Sequence, residues 1–592
     1  MTRMFAVWAP RAAESVRLEL EHSGQEMDRA ADGWWTTQAE AVPGDTYQFR
    51  IDGGEPLTDP RALRLPKGPH GPAMVHDPTG FAWTDDAWRG VALPGSVIYE
   101  LHVGTFTERG DLDGAIERLD HLVALGVDLV ELLPLASFPG HHNWGYDGVG
   151  LFAVQESYGG PDAMMRFVDA CHRRGLGVCL DVVYNHAGWG SRLWEFGPYF
   201  AAEGTAWGSA LNLDGPDSDE VRRFVLDNTA MWLRDFHVDA LRLDAVHALR
   251  DNRATTLLEA LSAQTEALAA RVGRPLWLIA ESDRNDPRTV TPRAAGGTGL
   301  DAQWADDVHH ALHVLLTGED TGYYADFAAA GTLEKVLTRV YLHDGTWSSF
   351  RRRHHGRPVD RRTTAGWRFV VSLQTHDQVG NRAQGDRLSA RLDPGLLACG
   401  AALLLTSAYT PMLFMGEEWG ATTPWQFFTD HTDAEIATQI TAGRYQEFAE
   451  HGWGSVDVPP PQDLQTFLRS HLDWEEAAEQ PHLRLLHWYQ ALTALRRERA
   501  DLRDPRLELV AVTHDRERGL VVVERGEHLV LVNLSDEVAE IPFSGVPRPE
   551  LLLAWDPATA ICGDRAVRLP GRTAGIVGPS SRHCSPDQPP LL

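Results

Sequence analysis

Residues 1–92 alternate apolar and polar positions, as in Phe5/Val7, Val16/Leu18/Leu20 and Tyr47/Phe49/Ile51, between turn clusters such as Asp52-Gly53-Gly54. A period of two is what a strand with one buried face imposes, so the pattern predicts a small N-terminal β-sandwich. Trp34-Trp35 offers a sugar-stacking surface there, but large aromatic residues in a small sandwich more often fill its core, which is the expectation here.

After Pro94-Gly95 short apolar runs alternate with amphipathic stretches, the texture of repeated βα units. Strands are expected at 97–103, 127–135, 177–184, 238–244, 276–281, 301–306, 368–375 and 411–416. Eight units of this kind close a (β/α)8 TIM barrel, placed at 93–502. In the first intervening helix Ile116, Leu119 and Val123 are expected to share a face. In the last, Leu485, Trp488, Tyr489 and Leu492 do so. Two long stretches, 187–217 and 421–482, read as excursions on the substrate side. From 503 to 579 the alternation returns, with strands expected at Leu520–Val523 and Leu529–Val532 of a C-terminal β-sandwich, and 580–592 is expected to be disordered. No short internal repeat is found.

The run from Leu396 to Met415 has no charged residue and is long enough to suggest a membrane helix. Gly400, Thr406, Ser407 and Pro411 divide it, however, and a helix followed by a barrel strand buried on both faces is the better reading. The N-terminal segment has no apolar run long enough for a signal peptide, so a cytoplasmic location is expected. Cys171, Cys179, Cys399, Cys562 and Cys584 are scattered without metal-ligand spacing and are expected to be free thiols. A formal net charge of −29 argues against nucleic-acid and anionic-membrane partners.

In a TIM barrel the reactive groups belong at the C-terminal strand ends, where the loops form the open pocket. Four polar clusters fall there: Asp181-Val-Val-Tyr-Asn-His186, Leu241-Arg-Leu-Asp244, Ile279-Ala-Glu281 and Thr375-His-Asp377-Gln378. Arg242 and Asp244 share a strand face, so a cation flanks a carboxylate and favours its ionised, nucleophilic form. A plain buried ion pair would look the same, and it is the company of the other clusters that favours catalysis. Glu281, partly buried near other carboxylates, is expected to keep a proton and act as acid/base, with Asp377 adding a like charge. Carboxylates on adjacent strand ends suit double-displacement glycoside cleavage with retention.

Together these clusters resemble the four signature regions of the α-amylase family of glycoside hydrolases, and the resemblance covers nearly the whole chain. It implies Asp244 as nucleophile, Glu281 as general acid/base and Asp377 as the residue that binds and distorts the sugar at the cleavage point. Arg242, His186 and His376 would contact that sugar or the nucleophile, and Tyr146 in Asn143-Trp-Gly-Tyr-Asp147 would stack on it. Several stretches are similar to the trehalose-releasing branch of the family, the trehalohydrolases: Ile98-Tyr-Glu-Leu-His-Val-Gly-Thr-Phe106, Trp304-Ala-Asp-Asp307, Gly322-Tyr-Tyr-Ala-Asp-Phe327 and Thr423-Pro-Trp-Gln-Phe-Phe428. Glycogen branching enzymes share some of them. Ordinary α-amylases usually carry Lys-His three and four residues after the nucleophile, where this chain has His247 and Ala248.

The likeness implies cleavage of the α-1,4 bond next to the terminal trehalose of maltooligosyl trehalose, with maltooligosyl trehalose synthase as functional partner. A branching enzyme is the close alternative, and a non-catalytic glucan-binding protein the distant one. Candidates for the pocket that receives trehalose are His247, Asp306, Asp307 and Trp425, although loop hydrogen bonding explains the two aspartates equally well. The N-terminal sandwich resembles the carbohydrate-binding-type modules of branching and debranching relatives. No cofactor is needed and no metal is expected. Asn185 occupies a place that some relatives use for calcium, but the short excursion after it offers no second group of oxygen ligands. A monomer or weak homodimer is expected.

Overall fold

The structure is a computed structural model that describes residues 2–205, 208–450, 458–563 and 565–580. Its centre is a closed parallel barrel of eight strands: β1 (Ile98–Leu101), β2 (Leu129–Leu132), β3 (Gly177–Val182), β4 (Ala240–Leu243), β5 (Trp277–Ala280), β6 (Ala302–Trp304), β7 (Phe369–Ser372) and β8 (Thr410–Phe414). Seven of the eight expected segments contain one of these strands and the eighth, 411–416, overlaps β8, which begins one residue earlier at Thr410, all in the expected order. The reason is burial on both faces, which turns most strand positions apolar and makes each strand readable as a short apolar run.

Leu396–Met415 resolves into the helix Pro394–Leu405 and strand β8. Asp393 starts that helix by accepting hydrogen bonds from the backbone N–H groups of Gly395 at 2.8 Å and Leu396 at 3.2 Å. Among the described residues no helix is long and apolar enough to cross a membrane. Leu485, Trp488, Tyr489 and Leu492 all face inward from the helix His482–Glu498, as expected.

The first helical stretch departs from expectation. It breaks into Leu112–Ile116 and Leu119–Leu125. The buried positions are Leu112, Ala115, Leu119, Leu122 and Leu125, while Ile116 is half-buried and Val123 is 41% exposed. The turn at Glu117-Arg118 ends one helix, and the next one buries positions three apart.

At the N-terminal end, Thr2–Trp8, Trp34–Glu40 and Asp28–Arg29 form one antiparallel sheet. Ser23–Glu26, Val16–Leu20, Thr46–Ile51, Pro56–Leu57 and Ala73–Met74 form another. Trp35 is buried. Trp34 is half-buried, donates to Glu220 Oε2 at 3.2 Å and carries the Arg61 guanidinium 5.5 Å from its ring centre. The pair is therefore committed to packing. At the other end, a five-stranded and a three-stranded antiparallel sheet span Val510–Asp515 to Thr573–Pro579, with Leu520–Arg525 and His528–Asn533 where strands were expected. Cys171, Cys179 and Cys399 are buried free thiols and Cys562 is an exposed one. Cys584 and the expected tail from 581 lie outside the described residues.

The excursion after β3 contains the short helix Leu193–Phe196 and the two-residue strand Ser209–Ala210. The excursion after β8 contains the helices Ala434–Glu450 and Leu464–Arg469. Under the barrel, Asp239 at the foot of β4 accepts from Trp88 Nε1 at 2.8 Å and the Val178 backbone N–H at 2.9 Å, and shares a 2.9 Å hydrogen bond with His172 Nε2. This ties the segment before β1 to the bottom of the barrel, the face whose polar contacts serve stability.

Candidate active site

Strand register sets the two central carboxylates side by side. Leu243 in β4 pairs with Ala280 in β5, and Asp244 and Glu281 are the next residue of each strand. Their backbones are thus one interstrand step apart, about 4.8 Å. Arg242, fully buried two residues before Asp244, points to the same face. Its Nη1 donates to Asp244 Oδ1 at 2.7 Å and to both oxygens of Asp181 at 3.0 and 2.9 Å, and its Nη2 lies 3.9 Å from Glu281 Oε2. The guanidinium also lies over the Trp304 ring, 4.5 Å from its centre. Asp244 Oδ2 accepts from Asn185 Nδ2 at 2.6 Å. Both carboxylate oxygens of Asp244 are therefore held by donors, which fixes its aim.

Ala245 follows in a left-handed conformation, φ 39° and ψ 51°, that a residue with a Cβ rarely adopts. The consequence is local: its backbone N–H donates to Glu281 Oε2 at 2.6 Å. Strain of this kind costs about 1–3 kcal/mol and persists where surrounding structure requires it. With Oε2 engaged, the other Glu281 oxygen is the one left to carry a proton. Burial pushes the Glu281 carboxyl up to about 8; Arg242 opposes that, and the charges of Asp244, Asp306 and Asp377 reinforce it. A carboxyl raised in this way keeps its proton near neutral pH, and it stands beside a carboxylate fixed by two donors.

Asp377 is the second residue of the short helix His376–Gly380, which Thr375 starts by accepting the Asp377 backbone N–H at 3.2 Å. Its side chain is 44% exposed, the freest of the three carboxylates, and its Oδ1 accepts from Asn381 Nδ2 at 3.3 Å. His376 is buried behind it. Burial works against the His376 imidazolium, but the charges of Asp377 and Glu100 and the hydrogen bond to Glu100 outweigh it and raise the ring to about 9.

Around these groups lies a cleft of about 820 Å³. Of the sequence-predicted site residues, Tyr146, His186, Asp244, His247, Glu281, Asp306, His376 and Asp377 line it, with Arg242 buried beneath. The Tyr146 hydroxyl donates to Asp181 Oδ2 at 2.7 Å and its ring stacks on His376 at 5.3 Å. His186 Nε2 meets the Tyr146 carbonyl at 3.0 Å. Asp306 is pushed up to about 7 by burial and by the charges of Asp377 and Asp307. His247 sits with Nδ1 3.9 Å from Asp283 Oδ1, on the Glu281 side of the cleft.

Two candidates stand elsewhere. Asp307 is buried off the cleft, where its Oδ2 accepts from Asn285 Nδ2 at 3.0 Å and from the backbone N–H groups of Leu342 at 2.7 Å and His343 at 3.0 Å. It is a loop clamp. Trp425 has no exposed surface and stacks behind Trp144, ring centres 5.4 Å apart at 14°. Trp144 is the ring that lines the cleft, so the aromatic contact assigned to Trp425 falls to its neighbour.

Other lining residues carried no readable signal. Phe350 and Arg351 come from the turn joining Thr346–Ser348 to Arg353–His355, and Arg351 Nη2 pairs with Asp283 Oδ2 at 3.2 Å. Ile436, Ile440 and Arg444 come from the helix Ala434–Glu450. Asn185 reaches the Asp244 carboxylate, where the sequence suggested a calcium position in relatives. Among the described residues no cluster of three or more His, Cys, Asp or Glu is arranged to hold a metal.

A carboxylate gripped by a buried arginine, a second carboxyl raised by burial and a third open to the cleft are groups that can together break an acetal by double displacement. Residues 78–195 match the family model described as the alpha amylase catalytic domain. The chain is 54% identical to a malto-oligosyltrehalose trehalohydrolase from Arthrobacter ramosus, over 98% of this chain and 100% of that protein. By contrast, a 1,4-alpha-glucan branching enzyme from Bacillus caldolyticus is 32% identical over 51% of this chain and 50% of its own length. Among solved structures, one described as an alpha amylase from Salmonella typhimurium matches with a TM-score of 0.88 and 33% identity, covering 98% of each chain. The chain belongs to the malto-oligosyltrehalose trehalohydrolase family of α-amylase-type barrel enzymes.

Proposed function

We propose that this enzyme hydrolyses the α-1,4 bond joining a maltooligosaccharide to a terminal trehalose, releasing trehalose with retention at the cleaved anomeric carbon. Asp244 attacks that carbon while Glu281 passes its proton to the departing trehalose oxygen. Water then attacks the glycosyl-aspartate, Glu281 takes the water proton, and the second displacement restores the α configuration. Asp377, His376, His186 and Arg242 hold the sugar and the nucleophile in place, and Tyr146 offers its ring. The carboxylates supply both the covalent and the proton-transfer chemistry, so no cofactor enters. The substrate would come from maltooligosyl trehalose synthase. Cytoplasmic residence and a monomer or weak homodimer complete the reading.

One observation carries it: in a chain similar from end to end to a trehalohydrolase, Asp244, Glu281 and Asp377 meet at one open cleft. The test is chromatography of the products from maltotriosyl trehalose, with amylose stained by iodine alongside. Maltotriose and trehalose in equal amounts support hydrolysis at the proposed bond. New α-1,6 branches in the amylose would favour the branching alternative.

The acid role also fixes a pH dependence. Glu281 must be protonated for the first step, so turnover is expected to fall as pH rises through about 8. Asp306 is one of the like charges that hold this proton on. Asp306→Asn is therefore expected to move the alkaline limb of kcat/KM to lower pH. A limb that stays in place, measured on a variant with native stability, would remove Asp306 from this role.

A further inference from the structure

Glu100 stands in the middle of β1, inside the barrel, 1% exposed and with no part in the chemistry described so far. Its two oxygens address one residue of the active site. Oε2 accepts the His376 backbone N–H at 2.9 Å, and Oε1 meets His376 Nδ1 at 2.6 Å. The carboxylate thus grips the first turn of the helix that presents Asp377, and it places an acceptor against one ring nitrogen. The other ring nitrogen, Nε2, lies 2.8 Å from the Tyr146 hydroxyl, which in turn donates to Asp181 Oδ2 at 2.7 Å. Asp181 is bound to Arg242 Nη1, and Arg242 to Asp244. One unbroken line of hydrogen bonds therefore runs from Glu100 to the residue cast as nucleophile.

We propose that Glu100 is a positioning residue: it holds His376 doubly protonated, so that Nε2–H donates to the Tyr146 oxygen and the whole line points its donors toward Asp181. The Tyr146 hydroxyl is then committed to Asp181, and His376 presents a fixed positive charge beside Asp377, 3.5 Å away. The charged and titratable groups facing His376 are Glu100 from β1, His102 just after that strand, Glu131 from β2, Asp181 from β3, Arg242 from β4 and Asp377 from its own helix, with the Tyr146 hydroxyl against Nε2. Burial, chiefly, and the Glu100 charge push Glu131 up to about 8, which keeps it neutral at working pH and leaves Glu100 to balance the imidazolium from the barrel interior. This inference rests on the catalytic reading above, and its test is arranged so that the two fail separately.

Glu100→Gln keeps the shape and one acceptor for the His376 backbone N–H, but it removes the charge and turns an N–H₂ toward Nδ1, which favours the neutral ring. The expected result is a fall in kcat of about 10- to 100-fold, since loss of a group that orients a catalytic residue costs on that order. The alkaline limb, set by Glu281 at about 8 in the native enzyme, should move at least one pH unit, roughly, toward acid, because His376 then loses its charge before Glu281 loses its proton. Glu100→Asp, which keeps the charge, should restore the position of the limb even if the rate stays low. A folded Glu100→Gln enzyme with native kcat and a native limb would overturn the proposal. Should that variant not fold, nitrogen NMR of histidine-labelled native protein decides, with the His376 signals assigned by their loss in His376→Gln. Both ring nitrogens protonated at pH 7.5 is the expected result, and a neutral ring overturns the proposal. That reading requires no activity, so failure to release trehalose would count against the catalytic assignment alone.

Discussion

Asp244→Asn is expected to release trehalose at least about 10³-fold more slowly than the native enzyme, with little change in thermal stability. The exchange preserves volume, and Arg242 keeps its two contacts to Asp181, so the buried cation is not left unpaired. What disappears is the oxygen pair that Arg242 and Asn185 hold at 2.7 and 2.6 Å, aimed at the cleft. An amide in that place cannot form the glycosyl ester. Initial rates of trehalose release, read beside a melting curve by circular dichroism, check this. A rate within tenfold of native would place the nucleophile elsewhere.

The second large effect concerns the leaving group. The acid must stand next to the departing oxygen, so with Glu281 as the proposed acid trehalose is expected on the side of the cleft beyond it. There the wall is polar and tied together: Asp283 faces Arg351 at 3.2 Å and His247 at 3.9 Å, and Asp306 lines the cleft close by. A 1,1-linked glucose pair has no reducing end and turns sharply at its linkage. A site hydrogen-bonded to that shape leaves polar groups unpaired when a straight maltosyl unit enters, and discrimination on this basis reaches about 10⁴-fold in well-built sites. The expected ratio of kcat/KM for maltotriosyl trehalose over maltopentaose is therefore about 10²- to 10⁴-fold. Equal values would mean that the wall does not read the trehalose unit.

The barrel and its carboxylates were legible for one physical reason. Strands buried on both faces read as apolar runs, and a charged residue at the end of such a run has little to do except chemistry. The same rule hid Glu100, which interrupts Ile98-Tyr-Glu-Leu101 at its centre and looks like a defect until His376 is seen against it. Ala245 could not be read either, because its positive φ belongs to a residue with no turn signature. Trp425 and Asp307 were both expected on loops; Asp307 instead stands in the first turn of the helix Asp306–Thr317, and both point inward, to Leu342, His343 and Trp144, a direction that depends on partners distant in sequence. The hairpin bearing Phe350 and Arg351 and the helix Ala434–Glu450 lie in insertions whose patterns resemble surface structure, although both help to wall the cleft.

The proposed mechanism requires a covalent glycosyl-aspartate at Asp244, and trapping that intermediate is the most direct measurement. Glu281→Gln treated with α-maltosyl fluoride needs no acid to expel fluoride, yet lacks the base that would activate water for the second step, so the intermediate should accumulate. Mass spectrometry of the digested protein is expected to find one maltosyl group on the peptide containing Asp244. A label on the peptide carrying Asp181 or Asp377, or a β-configured product with no label at all, would contradict it.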